Sequence, residues 1–277
     1  MRRLVIRPGA IGDTIVGLPA LERLCSAADD AEIWAPARNL PLLRHIAPVR
    51  SFAAVQLDLL EIDPPQALIK RLRSFDEIVS WYGAAREELG AALDSVGVRY
   101  RLLRALPPEG SGCHAVDFYL RLAGFEAAAC LGIAPRLPVQ HCERPLGAGF
   151  IAIHPFSGSP RKNWPLASFQ ATAVRLTQLT GLPCQWSAGP EEELPGARRF
   201  ADLADVAPWL AESALYLGND SGISHLAAAC GVPSVVIFSV TDAAVWAPRA
   251  TRVAVLQRPE LAQVVDASLH LLRAVGP

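Results

Sequence analysis

The stretch from Leu215 to Pro248, LYLGNDSGISHLAAACGVPSVVIFSVTDAAVWAP, constrains the fold more than any other part of the chain. A short apolar strand ends at Leu217, the polar turn Gly218-Asn219-Asp220-Ser221-Gly222 follows, and an apolar helix is expected from about Ile223 to Cys230. Gly231 can take the left-handed conformation that ends a helix, and Pro233 follows where proline is common. Ser234 to Phe238 then reads as a second apolar strand. Strand, turn, helix, strand is the unit that builds a parallel sheet with helices on its faces.

Between Ser221 and Thr241 there is no Asp, Glu, Lys or Arg, a length that suits a membrane span. Gly231 and Pro233 divide it into a helix and a strand, and His225 and several Ser would face lipid, so a buried α/β element is the better reading. Chemistry belongs to the turn before the helix. A helix start leaves backbone N–H groups unpaired and carries partial positive charge, so Ser221, Gly222 and Ile223 can present amides to a phosphate. Gly218 and Gly222 allow close approach of the backbone. A plainer reading makes Asp220 or Ser221 an N-cap and His225 a packed helix residue, and the turn alone does not choose between them.

At 277 residues, half of them apolar, the chain has material for two domains. A formal net charge of −1, with no long basic run, argues against general nucleic-acid binding. The start, MRRLVIRPGAIGD, enters a strand directly with no apolar signal-peptide region, which points to a cytoplasmic protein. The six cysteines lack C-x-x-C spacing and the histidines are dispersed, so no disulfide framework or metal site is expected. Basic residues are nearly all Arg. Only Lys70 and Lys162 are Lys, and a Lys in such a chain points to a place that wants a compact ammonium.

Leu4 to Arg7 reads as a first buried strand and Pro8 to Asp13 as a turn into a helix from about Thr14 to Ala27. The turn lacks the G-x-G-x-x-G spacing of dinucleotide sites, which disfavours an NAD-dependent oxidoreductase. Asp13 is either a first-turn acid that favours the helix dipole or, beside Gly12, a general base at a strand's C-terminal end. Strand and helix candidates then alternate as far as Leu103, the rhythm of a doubly wound sheet. They include a helix at Leu40 to Ile46; beyond Leu103, a helix at Ala115 to Ala123 is expected with Phe118, Tyr119 and Leu122 inward. The Pro- and Gly-rich segment Pro135 to Gly149 is the expected domain boundary.

The second half restarts with a strand at Phe150 to Ile153, the loop HPFSGSPRKNWP and a helix from Leu166 to about Leu179. In that loop Ser157 and Ser159 can donate hydrogen bonds to phosphate and Lys162 can neutralise it. The simpler alternative is a polar turn with Trp164 packed on the surface. Gly189-Pro190-Glu191-Glu192-Glu193 is expected to open another helix after a strand at Pro183 to Ser187. Its acids serve either the helix dipole or a ribose hydroxyl pair. A short helix near Pro208 to Ala211 and a last one from Glu260 to Arg273 complete the prediction.

Three motifs in this order, RPGAIGDTIVGLPAL, HPFSGSPRKNWP and GNDSGISHLAAACGVPSVVIFSVTD, resemble glycosyltransferase family 9, the ADP-heptose:lipopolysaccharide heptosyltransferases. The resemblance implies an α/β fold of the GT-B kind, two Rossmann-like doubly wound domains facing across a cleft. They are expected at 1–142, on the acceptor side, and 143–277, holding the nucleotide sugar, with the last helix free to pack back on the first domain. It implies Asp13 as base, flanked by Gly12, and Lys162 on the diphosphate with Ser157 and Ser159. Glu191 or Glu192 is the matching ribose- or base-contacting acid, and Asn219, Asp220, Ser221, Gly222 and His225 form the phosphate- and sugar-proximal turn. Phe156 where many members have Gly, and Ser239-Val240 in place of Gly-Pro, depart from the pattern.

The implied activity is inverting transfer of a sugar, heptose by family analogy, from ADP-heptose or a related nucleotide-diphosphate sugar to a hydroxyl of a lipopolysaccharide-like or other cell-envelope acceptor. No metal and no cofactor are expected. The expected partners are the donor and a glycan or glycolipid acceptor, with transient contact at the inner-membrane surface if the acceptor carries lipid, and no nucleic acid. The alternative is a non-catalytic sugar-nucleotide-binding protein of envelope assembly.

Overall fold

A computed structural model describes residues 1–139 and 149–273, which form parts of two compact units, Met1–Ile133 and Ala134–Pro277. The expected boundary between 142 and 143 lies outside the described residues.

The first unit runs β1 (Arg2–Ile6), α1 (Ile11–Ser26), β2 (Asp30–Ala35), β3 (Val49–Ser51), α2 (Phe52–Val55), α3 (Gln66–Leu72), β4 (Glu77–Ser80), α4 (Glu87–Val96), β5 (Tyr100–Leu102), α5 (Ala115–Leu122) and α6 (Glu126–Ala129). Its described strands are all parallel in the order β3-β2-β1-β4-β5. Strands covered on both faces read as continuous apolar runs, and Leu4, Val5, Ile33, Trp34, Ile78 and Val79 are indeed fully buried. One core cluster joins Leu4, Ile6, Trp34 and Ile78 to Leu68 and Leu72 of α3 and Leu89, Leu93 and Val96 of α4. Each such Leu, moved from water to the core, contributes about 1.5–3 kcal/mol.

The second unit runs β6 (Ile151–His154), α7 (Leu166–Thr180), β7 (Cys184–Ala188), β8 (Arg198–Arg199), α8 (Leu203–Ala211), β9 (Leu215–Asn219), α9 (Gly222–Ala229), β10 (Ser234–Phe238), α10 (Ala243–Trp246), β11 (Val253–Gln257) and α11 (Leu261–Arg273). The order is β11-β10-β9-β6-β7-β8, again parallel. Its core joins Ile151, Ile153, Leu215, Leu217, Val235 and Ile237 to Phe169 and Leu176 of α7 and Val264, Val265 and Leu271 of the last helix. In each sheet the order reverses between two central strands, β1 and β4 in one and β6 and β9 in the other. Open α/β sheets bind ligands outside the carboxyl ends of strands at such a switch point.

The doubly wound expectation holds, and several local expectations do not. The helix expected from the Glu191 cluster is absent: residues 189–197 form turns. Pro195 lacks an N–H and restricts Leu194, and Gly196 follows at φ +76°, so fewer than two turns are available before the chain must stop. Helix α1 begins at Ile11 rather than Thr14, because the Asp13 carboxylate returns to the Ala10 N–H and closes the first turn. Residues Ala37–Leu42 form a 3-10 helix in place of an α-helix at Leu40 to Ile46. Helix α8 starts five residues before the expected Pro208, N-capped by the Asp202 side chain on the Ala204 N–H at 3.0 Å. In α5 the buried positions are Ala115, Val116, Tyr119 and Leu120, with Phe118 and Leu122 only half-buried.

Candidate functional site

At the carboxyl end of β1, Gly9 has φ +111°, a conformation open to glycine. A Cβ there would lie 2.8 Å from both Cβ and Oδ2 of Asp13, so the bare backbone is what leaves room for that carboxylate. The Ala10 N–H donates to Asp13 Oδ2 at 2.9 Å, and the other carboxylate oxygen receives no hydrogen bond among the described residues. Asn39, fully buried in the 3-10 helix that follows β2, donates from Nδ2 to the Gly9 carbonyl at 3.0 Å and to Thr14 Oγ1 at 2.8 Å, tying the turn to that helix. Gly12 is the half-buried second residue of α1.

Behind this turn sits Arg7, only 1% exposed. Its guanidinium donates to the Asp13 carbonyl and lies 4.3 Å from the Tyr119 ring centroid and 5.3 Å from that of Trp81. A cation over two aromatic faces is attracted by their negative quadrupoles, which offsets part of its desolvation. Sequence reading took Arg7 as the end of a strand and missed it. The available signal was an Arg inside an otherwise apolar run.

In the second unit the loop after β6 and the end of β9 meet at the switch point. Lys162 closes a short 3-10 turn, Pro160–Lys162, and donates from Nζ to Asp220 Oδ2 at 2.8 Å. Asp220 is 5% exposed, while about a third of the Lys162 side chain meets solvent. Asn219 reaches the same loop twice. Its Oδ1 accepts from the Trp164 N–H at 2.9 Å and its Nδ2 donates to the Pro155 carbonyl at 2.7 Å. Trp164 is buried rather than on the surface, edge-on to Phe169, with its indole N–H on the Pro259 carbonyl at 3.2 Å.

Ser157 Oγ lies 2.8 Å from the Ser159 carbonyl and 2.7 Å from Asn163 Oδ1 and shares its single proton between these two acceptors, so its hydroxyl braces the loop. Ser159 Oγ has no hydrogen-bond partner among the described residues and sits half-buried. Ser221 caps α9 by accepting from the Ser224 N–H, while Gly222 and Ile223, first in the helix, have no helical acceptor for their amides. His225 is buried in α9. Gly218 lies within β9 rather than in the turn. A Cβ there would meet the Tyr216 hydroxyl at 2.2 Å, so its bareness serves Tyr216, which hydrogen-bonds Ser224 Oγ at 3.0 Å.

Glu191 is exposed, whereas Glu192 folds back to accept from the Gly189 N–H at the end of β7. Arg199 donates to the Gly189, Pro190 and Glu192 carbonyls and fixes this turn. His154 ends β6 with Nδ1 at 3.1 Å from the Ser187 carbonyl. Burial pushes its pKa down to about 4, because desolvation penalises the imidazolium, and the neutral ring donates from Nδ1 to that carbonyl. Among the described residues no three His, Cys, Asp or Glu side chains group to hold a metal, and no helix is long and apolar enough to cross a membrane.

The second-unit arrangement places an ammonium, an unengaged hydroxyl and the amides of a helix start at one end of a parallel sheet, a geometry suited to a phosphate. Residues 126–268, just over half of the chain, match the model of glycosyltransferase family 9 (heptosyltransferase). No curated protein matches the sequence. Among solved structures, E. coli ADP-heptose lps heptosyltransferase II aligns at TM-score 0.77 and 17% identity over 99% of each chain. A family 9 glycosyl transferase from Veillonella parvula DSM 2008 aligns at 0.75 and 16%, covering 99% of this chain and 97% of the other. E. coli heptosyltransferase WaaC with ADP aligns at 0.63 and 18% over 99% of each.

Proposed function

This chain belongs to glycosyltransferase family 9, the heptosyltransferase family, and we propose that it moves a sugar, heptose, from ADP-heptose or a related nucleotide-diphosphate sugar to a hydroxyl of a lipopolysaccharide-like or other cell-envelope acceptor. The observation that carries this reading is that Asp220, two residues before α9, holds the Lys162 ammonium near the helix start, where it and the amides of Gly222 and Ile223 can donate to a leaving diphosphate. The E. coli proteins of the same fold are named for ADP-heptose or hold ADP, which favours that donor.

The acceptor oxygen attacks the anomeric carbon from the face opposite the diphosphate, so configuration inverts. As the new C–O bond forms, the acceptor proton passes to Asp13 and the bond to the diphosphate oxygen breaks. Lys162, the Ser159 hydroxyl and the amides of Gly222 and Ile223 stabilise the charge that accumulates on the leaving group. Asp13 is suited to its part because one oxygen is held by the Ala10 N–H and the other receives none among the described residues. Glu192, turned in on the Gly189 N–H, is the acid we place nearer the nucleotide, in preference to the exposed Glu191. The reaction asks for no metal and no cofactor. A cytoplasmic site of action, with transient contact at the inner-membrane surface for a lipid-borne acceptor, completes the proposal.

A thermal-shift panel of ADP, ADP-heptose, UDP-sugars, GDP-sugars and NAD, each with EDTA and with Mg²⁺, tests the donor. A ligand present at about a hundred times its dissociation constant adds roughly 2.7 kcal/mol to the folded state. Stabilisation by ADP and ADP-heptose that persists in EDTA is the expected result. Response to UDP- or GDP-sugars alone would refute the donor, and stabilisation that vanishes with EDTA would refute metal independence. With ADP-heptose and an envelope acceptor extract, Asp13→Asn abolishes transfer while ADP still binds; full activity in that variant would sink the base assignment.

A further inference from the structure

Asn219 stands where a ligand contact is expected from the motif, yet it is fully buried and both ends of its amide are committed to backbone. The two backbone groups it holds, the Pro155 carbonyl and the Trp164 N–H, are the two ends of the loop that carries Ser157, Ser159 and Lys162. One side chain therefore closes the base of the loop. The neighbouring Asp220 holds the Lys162 ammonium at its side, so consecutive residues at the end of β9 set both the loop's base and its cation. Two further contacts hold Asn219 itself. Its carbonyl accepts from Ser224 Oγ, and β9 is paired on both sides, with β6 and β10.

We propose that Asn219 is a positioning residue that acts through Lys162, fixing the loop so that the ammonium meets the diphosphate, and that it makes no ligand contact of its own. The amide is suited to this where other side chains are not. The loop offers one acceptor and one donor, and Asn has one of each on a short stem that can face both. An Asp there would keep the acceptor and lose the donor, and a Leu would leave two buried backbone groups unpaired. The proposal rests on the assignment of Lys162 to the diphosphate, and its test separates the two.

The test measures dissociation constants of ADP and of adenosine by calorimetry for the wild type, Lys162→Ala, Asn219→Ala and the double variant. Adenosine lacks the diphosphate and so reports the nucleoside part of the site alone. Asn219→Ala is expected to weaken ADP about tenfold or more, no further than Lys162→Ala does, with adenosine unchanged within about twofold. The double variant is expected to bind ADP no more weakly than Lys162→Ala, because residues acting through one another are not additive. Equal losses for ADP and adenosine would mean a general structural defect and overturn the proposal, as would additive losses. If Lys162→Ala weakens ADP and Asn219→Ala does not, only the positioning role fails. If Lys162→Ala itself leaves ADP affinity unchanged, the phosphate assignment fails and the inference with it. Should Asn219→Ala not fold, Asn219→Ser, which is small and adds no charge beside the diphosphate, carries the same comparison.

Discussion

Replacing Gly9 by Ala tests how the first unit presents Asp13. The added Cβ would meet Asp13 Cβ and Oδ2 at 2.8 Å and Cγ at 3.2 Å, whereas ordinary contact begins near 3.4 Å, so the carboxylate must move by about 0.6 Å. It cannot simply rotate away without giving up the Ala10 N–H at 2.9 Å. A 1 Å misplacement of a catalytic group can cost about 10²-fold, so a fall in turnover of roughly 10- to 100-fold is expected. Alanine at φ +111° is also strained by about 1–3 kcal/mol, which lowers the melting temperature by several degrees. The assay pairs steady-state transfer from ADP-heptose with ADP affinity by calorimetry. Turnover should fall and ADP affinity stay within about twofold of wild type. Full turnover in Gly9→Ala, or a loss of ADP affinity as large as the loss of turnover, would refute the reasoning.

Because burial holds His154 at about 4, below the roughly 6.5 of an unfolded His, the unfolded chain binds the extra proton first as pH falls. Stability should therefore decline from about pH 6.5 toward pH 4, by an amount on the order of 3 kcal/mol at most, and His154→Gln should flatten that slope in urea titrations. If the variant and wild type lose stability in parallel, His154 is not the group responsible. Gly218→Ala forces a methyl onto the buried Tyr216 hydroxyl and should cost about 1–3 kcal/mol, read as an earlier urea midpoint; an unchanged midpoint would contradict the packing described. Cys25 and Cys230, buried with thiols pushed up to about 12, should resist iodoacetamide at pH 8 while exposed Cys130 reacts, as peptide mass mapping will show. Rapid native labelling of Cys25 in α1 or of Cys230, just past the end of α9, would contradict the burial described.

Much of the fold was legible because it rests on local patterns. The run Ser234 to Phe238 coincides with β10, and Gly231 at φ +75° follows the end of α9 as its place before Pro233 suggested. The site was legible as motifs but not as roles. Nothing in GND distinguishes an Asn that meets a ligand from one that clips a loop 55 and 64 residues distant in sequence. Nor does the spacing of Gly218 reveal that a tyrosine two residues back, on the same face of the strand, needs the space. The strand β11 was missed because it lies at the sheet's edge, where half-exposed positions dilute the apolar run that marks a central strand.

By itself, then, the sequence determined the alternation of buried strands and helices, the parallel sheets that follow from it, and which loops carry the charged and small residues. Those features depend on neighbours a few positions apart, where periodicity, glycine and proline act directly. Only the tertiary structure decided what the loop residues do: that Arg7 is buried against two rings, that Lys162 faces Asp220, and that Asn219 holds both ends of the Lys162 loop. Those assignments depend on which strand ends the sheet order brings side by side, and strand order is set by packing of the whole domain rather than by any segment within it.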